Sequence, residues 1–194
     1  MLLYLSIILF FEGRRKILSK LVNIYTDGAC SGNQNDENIG GWGCVLECAG
    51  HEKELCGGEV NTTNNKMELT AVLQALSALK EEGLFLRIFS DSSYVINCFK
   101  NKWFESWESN GWKNAKKQPV ENKELWQAIL DLVRKNTCEF YLVKGHVKNP
   151  TKSHYKQFTE HNGNSFSFEE FCKIIEYNNR CDALANVFIN EHRK

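Results

Sequence analysis

The stretch Ile24-Tyr-Thr-Asp-Gly-Ala-Cys-Ser-Gly-Asn33 decides how the rest of the chain is interpreted. It starts as an apolar run rich in β-favouring residues and continues into an acidic residue and a glycine-rich turn. This pattern predicts a strand over residues 21–26 that finishes at Asp27, whose carboxylate would point out of the strand end. Three later acidic residues also lie where another element is predicted to begin or end: Glu68, Asp91 and Asp182. We therefore expect the fold to bring these four carboxylates to one point.

The composition is that of an ordinary folded domain. The 194 residues suffice for one well-buried core, and 42% are apolar and 25% charged. The formal net charge is zero, so a nucleic-acid partner would have to be met by local basic patches. The eight cysteines include no Cys-x-x-Cys pair, which argues against a thiolate zinc site and favours the reduced cytoplasm over a disulfide framework.

The N-terminal region carries an apolar run, Met1–Phe11, followed by a short basic segment. The run is shorter than the ~18 residues that span a bilayer, and it lacks the flanking features of a signal peptide. It could be an extension packed on the domain, a weak membrane anchor, or sequence upstream of the true start. We expect residues 1–20 to form an extension outside the main fold, without stable membrane association.

The first half of the remaining chain predicts three strands and a helix. Apolar patterns at residues 21–26, 40–47 and 53–60 are joined by short connections, which indicate an antiparallel meander. The spacing of apolar residues then changes to that of a helix. The segment that begins at Thr62 leads into this helix, which is predicted to end at Gly83.

A fourth strand, predicted at residues 84–90, follows that helix and returns beside the first strand as a parallel crossover. Asp27 and Asp91 would then lie together at the carboxyl ends of neighbouring strands, where open α/β sheets place their ligand sites. Glu68 borders the apolar face of the helix, so its carboxylate must be paired or metal-bound. Further elements are predicted in the order helix 92–101, helix 123–135, strand 138–143, a helix start at Ser167–Glu170 with capping-box spacing, and a final helix over 180–190 with Asp182 in its first turn.

Seven motifs follow one another along the chain: Thr26-Asp-Gly-Ala-Cys-Ser-Gly-Asn33, Thr62-Thr-Asn-Asn-Lys-Met-Glu-Leu69, Ser90-Asp-Ser-Ser-Tyr-Val95, Gly111-Trp-Lys113, Leu125-Trp126, Val143-Lys-Gly-His146 and Asn179-Arg-Cys-Asp-Ala-Leu-Ala185. In this order they resemble the type 1 ribonuclease H family in its bacterial form. The resemblance implies a catalytic domain over residues 21–192. It also implies an α/β fold of the ribonuclease H type: a five-stranded mixed sheet with an antiparallel meander of strands 1–3, strands 4 and 5 parallel to strand 1, and helices on both faces.

The resemblance further implies an endonuclease that hydrolyses the RNA strand of RNA/DNA hybrids and leaves 5′-phosphate and 3′-hydroxyl ends. The enzyme would act as a monomer with two Mg²⁺ ions, with Mn²⁺ as an alternative. Asp27 would bridge both ions, Asp182 would help to hold the ion that carries the attacking water, and Glu68 and Asp91 would hold the other. His146 matches the family histidine assigned to proton transfer or product release. The alternative to a metal site is that the four acidic residues are unrelated surface residues on an acidic rim. Against this, converging carboxylates without a cation would repel one another.

Substrate contacts also follow from the resemblance. The candidate positions are Cys30, Asn33, Thr63, Asn64, Asn65, Ser93, Trp103, Trp107, Lys113, Lys116, Lys117 and Asn122. Ser93 departs from the family pattern, which often has a glutamine that touches RNA at this position, and serine is too short to make the same reach. Cys30, Asn64 and Asn65 would lie along the minor groove, where the 2′-hydroxyl distinguishes RNA from DNA. A buried thiol is the alternative for Cys30, a helix N-cap for the asparagines, and core packing for Trp103 and Trp107.

Two segments depart from the family pattern. The basic protrusion over Lys102–Lys123 carries a net charge of only +2, which predicts weaker and less salt-dependent hybrid binding than in a strongly basic relative. His146 and Asp182 are 36 positions apart, so most of residues 147–177 is interpreted as an insertion. The insertion could be a lid or partner surface beside the active site, or a tolerated surface excursion.

Two other functions remain open at this stage. A structure-selective DNA nuclease or integrase would share the acidic cluster, but we do not expect it to combine the Thr-Asn-Asn-x-x-Glu pattern with the Lys-Gly-His turn. A catalytically inactive hybrid-binding module is the other alternative, and the presence of all four carboxylates weighs against it. Magnesium-dependent cleavage of a labelled hybrid would distinguish the three.

Overall fold

The computed structural model describes residues 20–31 and 38–193. The predicted N-terminal extension up to residue 19 and the predicted contact residue Asn33 lie outside the described residues. In the described ranges, no helix combines the length and the apolar character needed to cross a membrane.

Five strands form one mixed sheet: β1 (Leu21–Ser31), β2 (Ile39–Cys48), β3 (His51–Val60), β4 (Phe85–Ser90) and β5 (Thr137–Leu142). The strands are ordered β3-β2-β1-β4-β5 across the sheet. The first three pair antiparallel, whereas β4 pairs parallel with both β1 and β5. The predicted meander and crossover are therefore confirmed.

The described residues form six helices: α1 (Asn64–Ser77), α2 (Ser93–Lys100), α3 (Trp103–Ser109), α4 (Lys123–Val133), α5 (Lys152–Asn162) and α6 (Phe168–His192). Helix α1 packs on β1 and β2 and against α4, while α6 lies across β1, β2 and β3. Two hydrophobic clusters pack on the sheet: the first includes Leu69 of α1 and Trp126 of α4, and the second includes Phe171 of α6. Because side chains alternate along a strand, Ile24 of β1 belongs to the first cluster and its neighbour Tyr25 to the second. The prediction of helices on both faces is confirmed.

The second hydrophobic cluster covers the α6 face of the sheet and depends on residues 147–177. Phe158, Phe166 and Phe171 from this segment are buried in the cluster, and Phe166 packs against Phe89 and Tyr141 of the strands. Four rings also stack in a row across the sheet, with centroid separations of 4.4 Å for Tyr177–Tyr25, 5.0 Å for Tyr25–Phe89 and 5.0 Å for Phe89–Tyr141. The segment therefore supplies part of the core.

Strand β1 is longer than predicted. Its parallel pairing with β4 stops at Thr26 and Ser90, as expected, but its antiparallel pairing with β2 continues, so that Asp27 lies opposite Gly43. The prediction that Asp27 ends the strand is wrong, because β2 continues to supply backbone partners after β4 has ended. The carboxylate instead projects from the face of the strand at the point where its parallel neighbour stops.

The ends of two helices also differ from the predictions. Helix α1 ends at Ser77 and not at Gly83. The capping box of Ser167 and Glu170 is confirmed, but the helix that it starts continues without a break to His192, so the prediction of a separate helix with Asp182 in its first turn is wrong. The buried residues of α6 recur along one continuous face, and this burial keeps the two segments in a single helix.

Two short helices were not predicted. Helix α3 forms where only a polar segment was expected, because Trp107 turns inward and packs against Trp112 and Trp126. Helix α5 is capped by Thr151, whose hydroxyl accepts a hydrogen bond from the His154 backbone amide at 3.3 Å. Both helices are placed by tertiary packing and capping more than by a strong periodic pattern.

Candidate active site

Three carboxylates meet at the carboxyl end of the parallel strand pair. Asp27 comes from β1, Glu68 from the first half of α1, and Asp91 from the residue after β4. Each offers one oxygen to a group in which all three atoms lie within 4.8 Å of one another. Asp27 and Glu68 are only 5% and 4% exposed, so the fold buries two of the acids that the sequence singled out.

Two glycines allow this convergence. A Cβ atom at Gly28 would overlap the backbone of α1 at Met67 and Glu68, so the glycine lets the helix approach β1 closely. A Cβ atom at Gly145 would overlap the Oδ2 atom of Asp91. Both glycines stood in motifs quoted from the sequence, but their role depends on tertiary contacts that periodicity does not indicate.

The carboxylates are electrostatically unfavourable as they stand. Burial, together with the charges of Asp91 and Asp182, raises the pKa of Asp27 from 3.8 to about 8. Burial and the same kind of repulsion raise the pKa of Glu68 well above its usual value. Burial also raises the pKa of Asp91, although the nearby His146 opposes this effect. Among the described residues, no lysine or arginine nitrogen lies within 4.0 Å of Asp27, Glu68 or Asp91.

The donor set fits hard divalent cations. The Oδ2 atom of Asp27 and the Oε2 atom of Glu68 are buried without a hydrogen-bond partner in the described part of the protein. Oxygens in this condition cost free energy unless a cation or donor meets them. Clustered carboxylate oxygens are the ligands that Mg²⁺ and Mn²⁺ accept.

Asp182 and His146 border this group. Asp182 projects from the middle of α6, where the Nδ2 atom of Asn186 donates a hydrogen bond to its Oδ1 atom at 3.1 Å. The exposed imidazole of His146 places Nδ1 3.8 Å from Oδ2 of Asp182. The carboxylate lies outside the group of three within 4.8 Å, yet its charge contributes to the raised pKa values of Asp27 and Asp91.

Two asparagines next to the site were not predicted as site residues, although Asn179 opens one of the quoted motifs. Asn178 is 1% exposed, and neither polar atom of its amide has a hydrogen-bond partner among the described residues. It lies four positions before Asp182 and therefore on the same helix face, where its amide is close enough to Asp91 to lower the pKa of that carboxyl without meeting the geometry of a hydrogen bond. Asn179 donates from Nδ2 to the Val147 carbonyl at 2.9 Å and ties the loop after His146 to α6. The spacing of four before a predicted ligand was the available signal for Asn178.

The contact residues predicted around α1 lie at its exposed N-terminus. Thr63 is the N-cap, and its hydroxyl accepts a hydrogen bond from the Lys66 amide at 3.3 Å. Asn64 and Asn65 lie inside the first turn and are exposed, so the alternative that they form the helix N-cap is wrong. The half-buried Cys30 thiol donates to the Thr62 carbonyl at 3.6 Å.

The remaining contact candidates lie along the second half of the chain. Trp103 is 37% exposed, whereas Trp107 is 9% exposed within the first hydrophobic cluster and occupies the core position that was its alternative. Ser93 is exposed at the start of α2, and Asn122 is half-buried before α4. The exposed lysines of the protrusion lie on a short segment closed by a bridge between residues 113 and 119: Lys113, Lys116 and Lys117.

Known proteins resemble this chain over most of its length. The RNase H family model matches residues 19–188. A protein named Ribonuclease H from Clostridium botulinum (strain Hall) is 44% identical over 172 residues, which is 89% of this chain and 97% of that protein. A Ribonuclease H from Syntrophomonas wolfei is 51% identical over 127 residues, 66% of this chain and 85% of the relative. The crystal structure of LC9-RNase H1, a type 1 RNase H with the type 2 active-site motif, superposes with a TM-score of 0.61 at 28% identity, covering 77% of this chain and 75% of that one.

Proposed function

The chain belongs to the ribonuclease H family, and we propose that it hydrolyses the RNA strand of RNA/DNA hybrids, leaving 5′-phosphate and 3′-hydroxyl ends. The observation that carries this proposal is the group of three carboxylates within 4.8 Å, two of them with buried oxygens that have no partner among the described residues. Such a group is costly to bury unless it holds cations. A role in phosphodiester hydrolysis accounts for that cost.

Asp27, Glu68 and Asp91, with Asp182 beside them, would hold two Mg²⁺ ions, and Mn²⁺ is the alternative. When bound, such ions activate a water and stabilise the leaving 3′-oxygen of an in-line displacement. The residues of the chain contribute a largely buried set of oxygens, and the missing side chain of Gly145 leaves room for the Asp91 carboxylate. His146 is exposed at the rim and would exchange a proton at its imidazole with solvent or product.

The hybrid would lie over the exposed start of α1. Asn64 and Asn65 present amides that can meet a 2′-hydroxyl in the minor groove, and Cys30 lies on the neighbouring strand. We assign residues 21–192 to the catalytic domain, with an insertion at about 147–177, and expect a monomer. The eight cysteines are free thiols, which supports the reducing cytoplasm as the place of action.

Cleavage of a labelled RNA/DNA hybrid in the presence of Mg²⁺ tests the proposal. The wild type should cut the RNA strand only, and Asp27→Asn should lose activity by several orders of magnitude. Asp131→Asn makes the same change at an exposed position on α4 and should keep full activity. Cleavage of plain duplex DNA would favour a structure-selective nuclease, and hybrid binding without cleavage by the wild type would favour a binding module.

A further inference from the structure

A basic loop leads from the candidate active site into the insertion. The basic loop is defined here as residues 144–152, which join β5 to the start of α5. It lies within an acid-free run over residues 140–159 that carries lysines at intervals of four: Lys144, Lys148, Lys152 and Lys156. The net charge of this run is +4, compared with +2 over Lys102–Lys123, in a chain whose net charge is zero.

The start of the basic loop is fixed beside the carboxylates. The backbone of Gly145 lies against the Asp91 carboxylate, where a side chain would overlap it. The next residue, His146, places its Nδ1 atom 3.8 Å from Asp182. The Val147 carbonyl then accepts a hydrogen bond from Asn179 at 2.9 Å. Three consecutive residues therefore hold the loop at the site.

The far end of the loop is fixed as well. The amide of Asn162 pairs with the edge of β5, accepting from the Leu142 N–H at 3.0 Å and donating to the Leu142 carbonyl at 2.8 Å. Lys100 donates from Nζ to the carbonyl of His161 at 3.1 Å, and Phe158 is buried in the second hydrophobic cluster. Helix α5 is thereby attached to the sheet, so its first turn presents Lys152 from a stable framework.

The lysines of the basic loop do not form ion pairs with the rest of the described protein. Lys144, Lys148 and Lys152 are exposed, and in the part of the chain that the structure describes none has a carboxylate oxygen within 4.0 Å. Lys156, by contrast, pairs with Glu160 at 3.7 Å. Lys152 is the first residue of α5, whose first turn contains no acid, and the helix dipole disfavours a cation there. These three lysines are therefore available to an anionic partner.

We propose that Lys144, Lys148 and Lys152 bind backbone phosphates of the RNA/DNA hybrid beside the cleaved bond; this inference rests on the proposed function. The eight residue steps from Lys144 to Lys152 reach at most about 27 Å. Because each strand of a duplex carries one phosphate per about 3.4 Å of axis, the contacts fall within roughly eight base pairs of the cut. Phosphate contacts position a duplex without reading its sequence. The basic loop thus adds charge to a substrate surface whose protrusion is only weakly basic.

The salt dependence of hybrid binding tests this assignment. Lys144→Gln, Lys148→Gln and Lys152→Gln are combined in the Asp27→Asn protein, which binds without cutting, and the Kd for a labelled hybrid is measured from 50 to 200 mM salt. Three lost phosphate contacts reduce the slope of log K against log salt by about 2.7. Over that fourfold range the Asp27→Asn parent should therefore lose about 40-fold more affinity than the triple variant.

A second triple variant provides the matched control. Lys20→Gln, Lys53→Gln and Lys80→Gln make the same charge change around a cavity at the opposite end of the sheet. The slope of log K against log salt for this control variant should differ from the slope of the Asp27→Asn parent by less than about one. The arginine versions of the loop substitutions should keep the parent slope, and thermal unfolding of each variant verifies the fold.

The outcomes separate the inference from the function on which it rests. An equal fall in slope for both glutamine triples would identify a general charge effect and overturn the inference. An unchanged slope in the loop variant, with a parent that binds the hybrid and a wild type that cuts it, would overturn the inference alone. A parent that does not bind the hybrid, together with an inactive wild type, would overturn both.

Discussion

Replacing Asp27 with asparagine should stabilise the metal-free protein while it abolishes cleavage. The pKa of Asp27 is raised from 3.8 to about 8, so the folded protein holds this proton more tightly than the unfolded chain does. Stability therefore falls as the pH rises between these two values, by about 1.4 kcal/mol per pH unit. At pH 7 the accumulated cost is about 4 kcal/mol. Burying the new amide costs about 1–3 kcal/mol, which leaves a net gain of about 1–3 kcal/mol.

Denaturant unfolding in a metal chelator, at several pH values between 4 and 9, measures this effect. The wild type should lose stability steadily towards pH 8, and Asp27→Asn should lose less over the same range. Asp131→Asn removes an exposed carboxylate on α4 and should change stability by less than about 0.5 kcal/mol. Added Mg²⁺ should raise the Tm of the wild type more than that of Asp27→Asn, because a ligand stabilises the state that binds it.

One result would refute the electrostatic reasoning behind this prediction. If metal-free Asp27→Asn were less stable than the wild type at pH 7, with the same pH dependence, the carboxylate would not be under strain from burial and repulsion. Loss of activity in that variant would then reflect damage to the fold and would say nothing about metal binding.

Three further substitutions have defined outcomes. Asn178→Leu should raise the metal-free stability by about 1–3 kcal/mol in denaturant unfolding, because it removes two buried polar atoms without partners among the described residues; a loss would show that the amide is satisfied. Gly145→Ala should cost about 1–3 kcal/mol and most of the activity, since the methyl group overlaps the Asp91 carboxylate; a fully active, stable variant would contradict this packing. Asn162→Ala should speed amide hydrogen exchange in α5, because its two bonds to Leu142 are lost, and unchanged exchange would count against that anchor.

Local sequence patterns predicted the parts of the fold that local chemistry controls. Apolar, β-favouring segments located all five strands, and short connections indicated the meander of the first three. The three carboxylates that meet, Asp27, Glu68 and Asp91, were identifiable because each was predicted where an element begins or ends, although Asp27 lies within β1 and Glu68 in the second turn of α1. Their convergence follows from the parallel crossover, which places Thr26 of β1 beside Ser90 at the end of β4.

The parts that were not predicted depend on tertiary packing. The final helix was predicted to begin only at residue 180, but burial of Ile175 and Cys181 on the same face carries α6 through Asn178 and Asn179. The roles of Gly28 and Gly145 likewise depend on how closely two distant segments approach. No periodic signal in a single sequence encodes such an approach.

The row of stacked rings has a consequence for biosynthesis. Tyr25, Phe89 and Tyr141 lie on the sheet, whereas Tyr177 and the first half of α6, which cover them, are made later. At about 5–20 residues per second, the ribosome completes Tyr177 about 2–7 s after Tyr141. During that interval the nascent chain has all five strands but lacks the helix that shields one of their faces. The emerging protein therefore passes through a stage in which an aromatic surface is exposed to chaperones and to neighbouring chains.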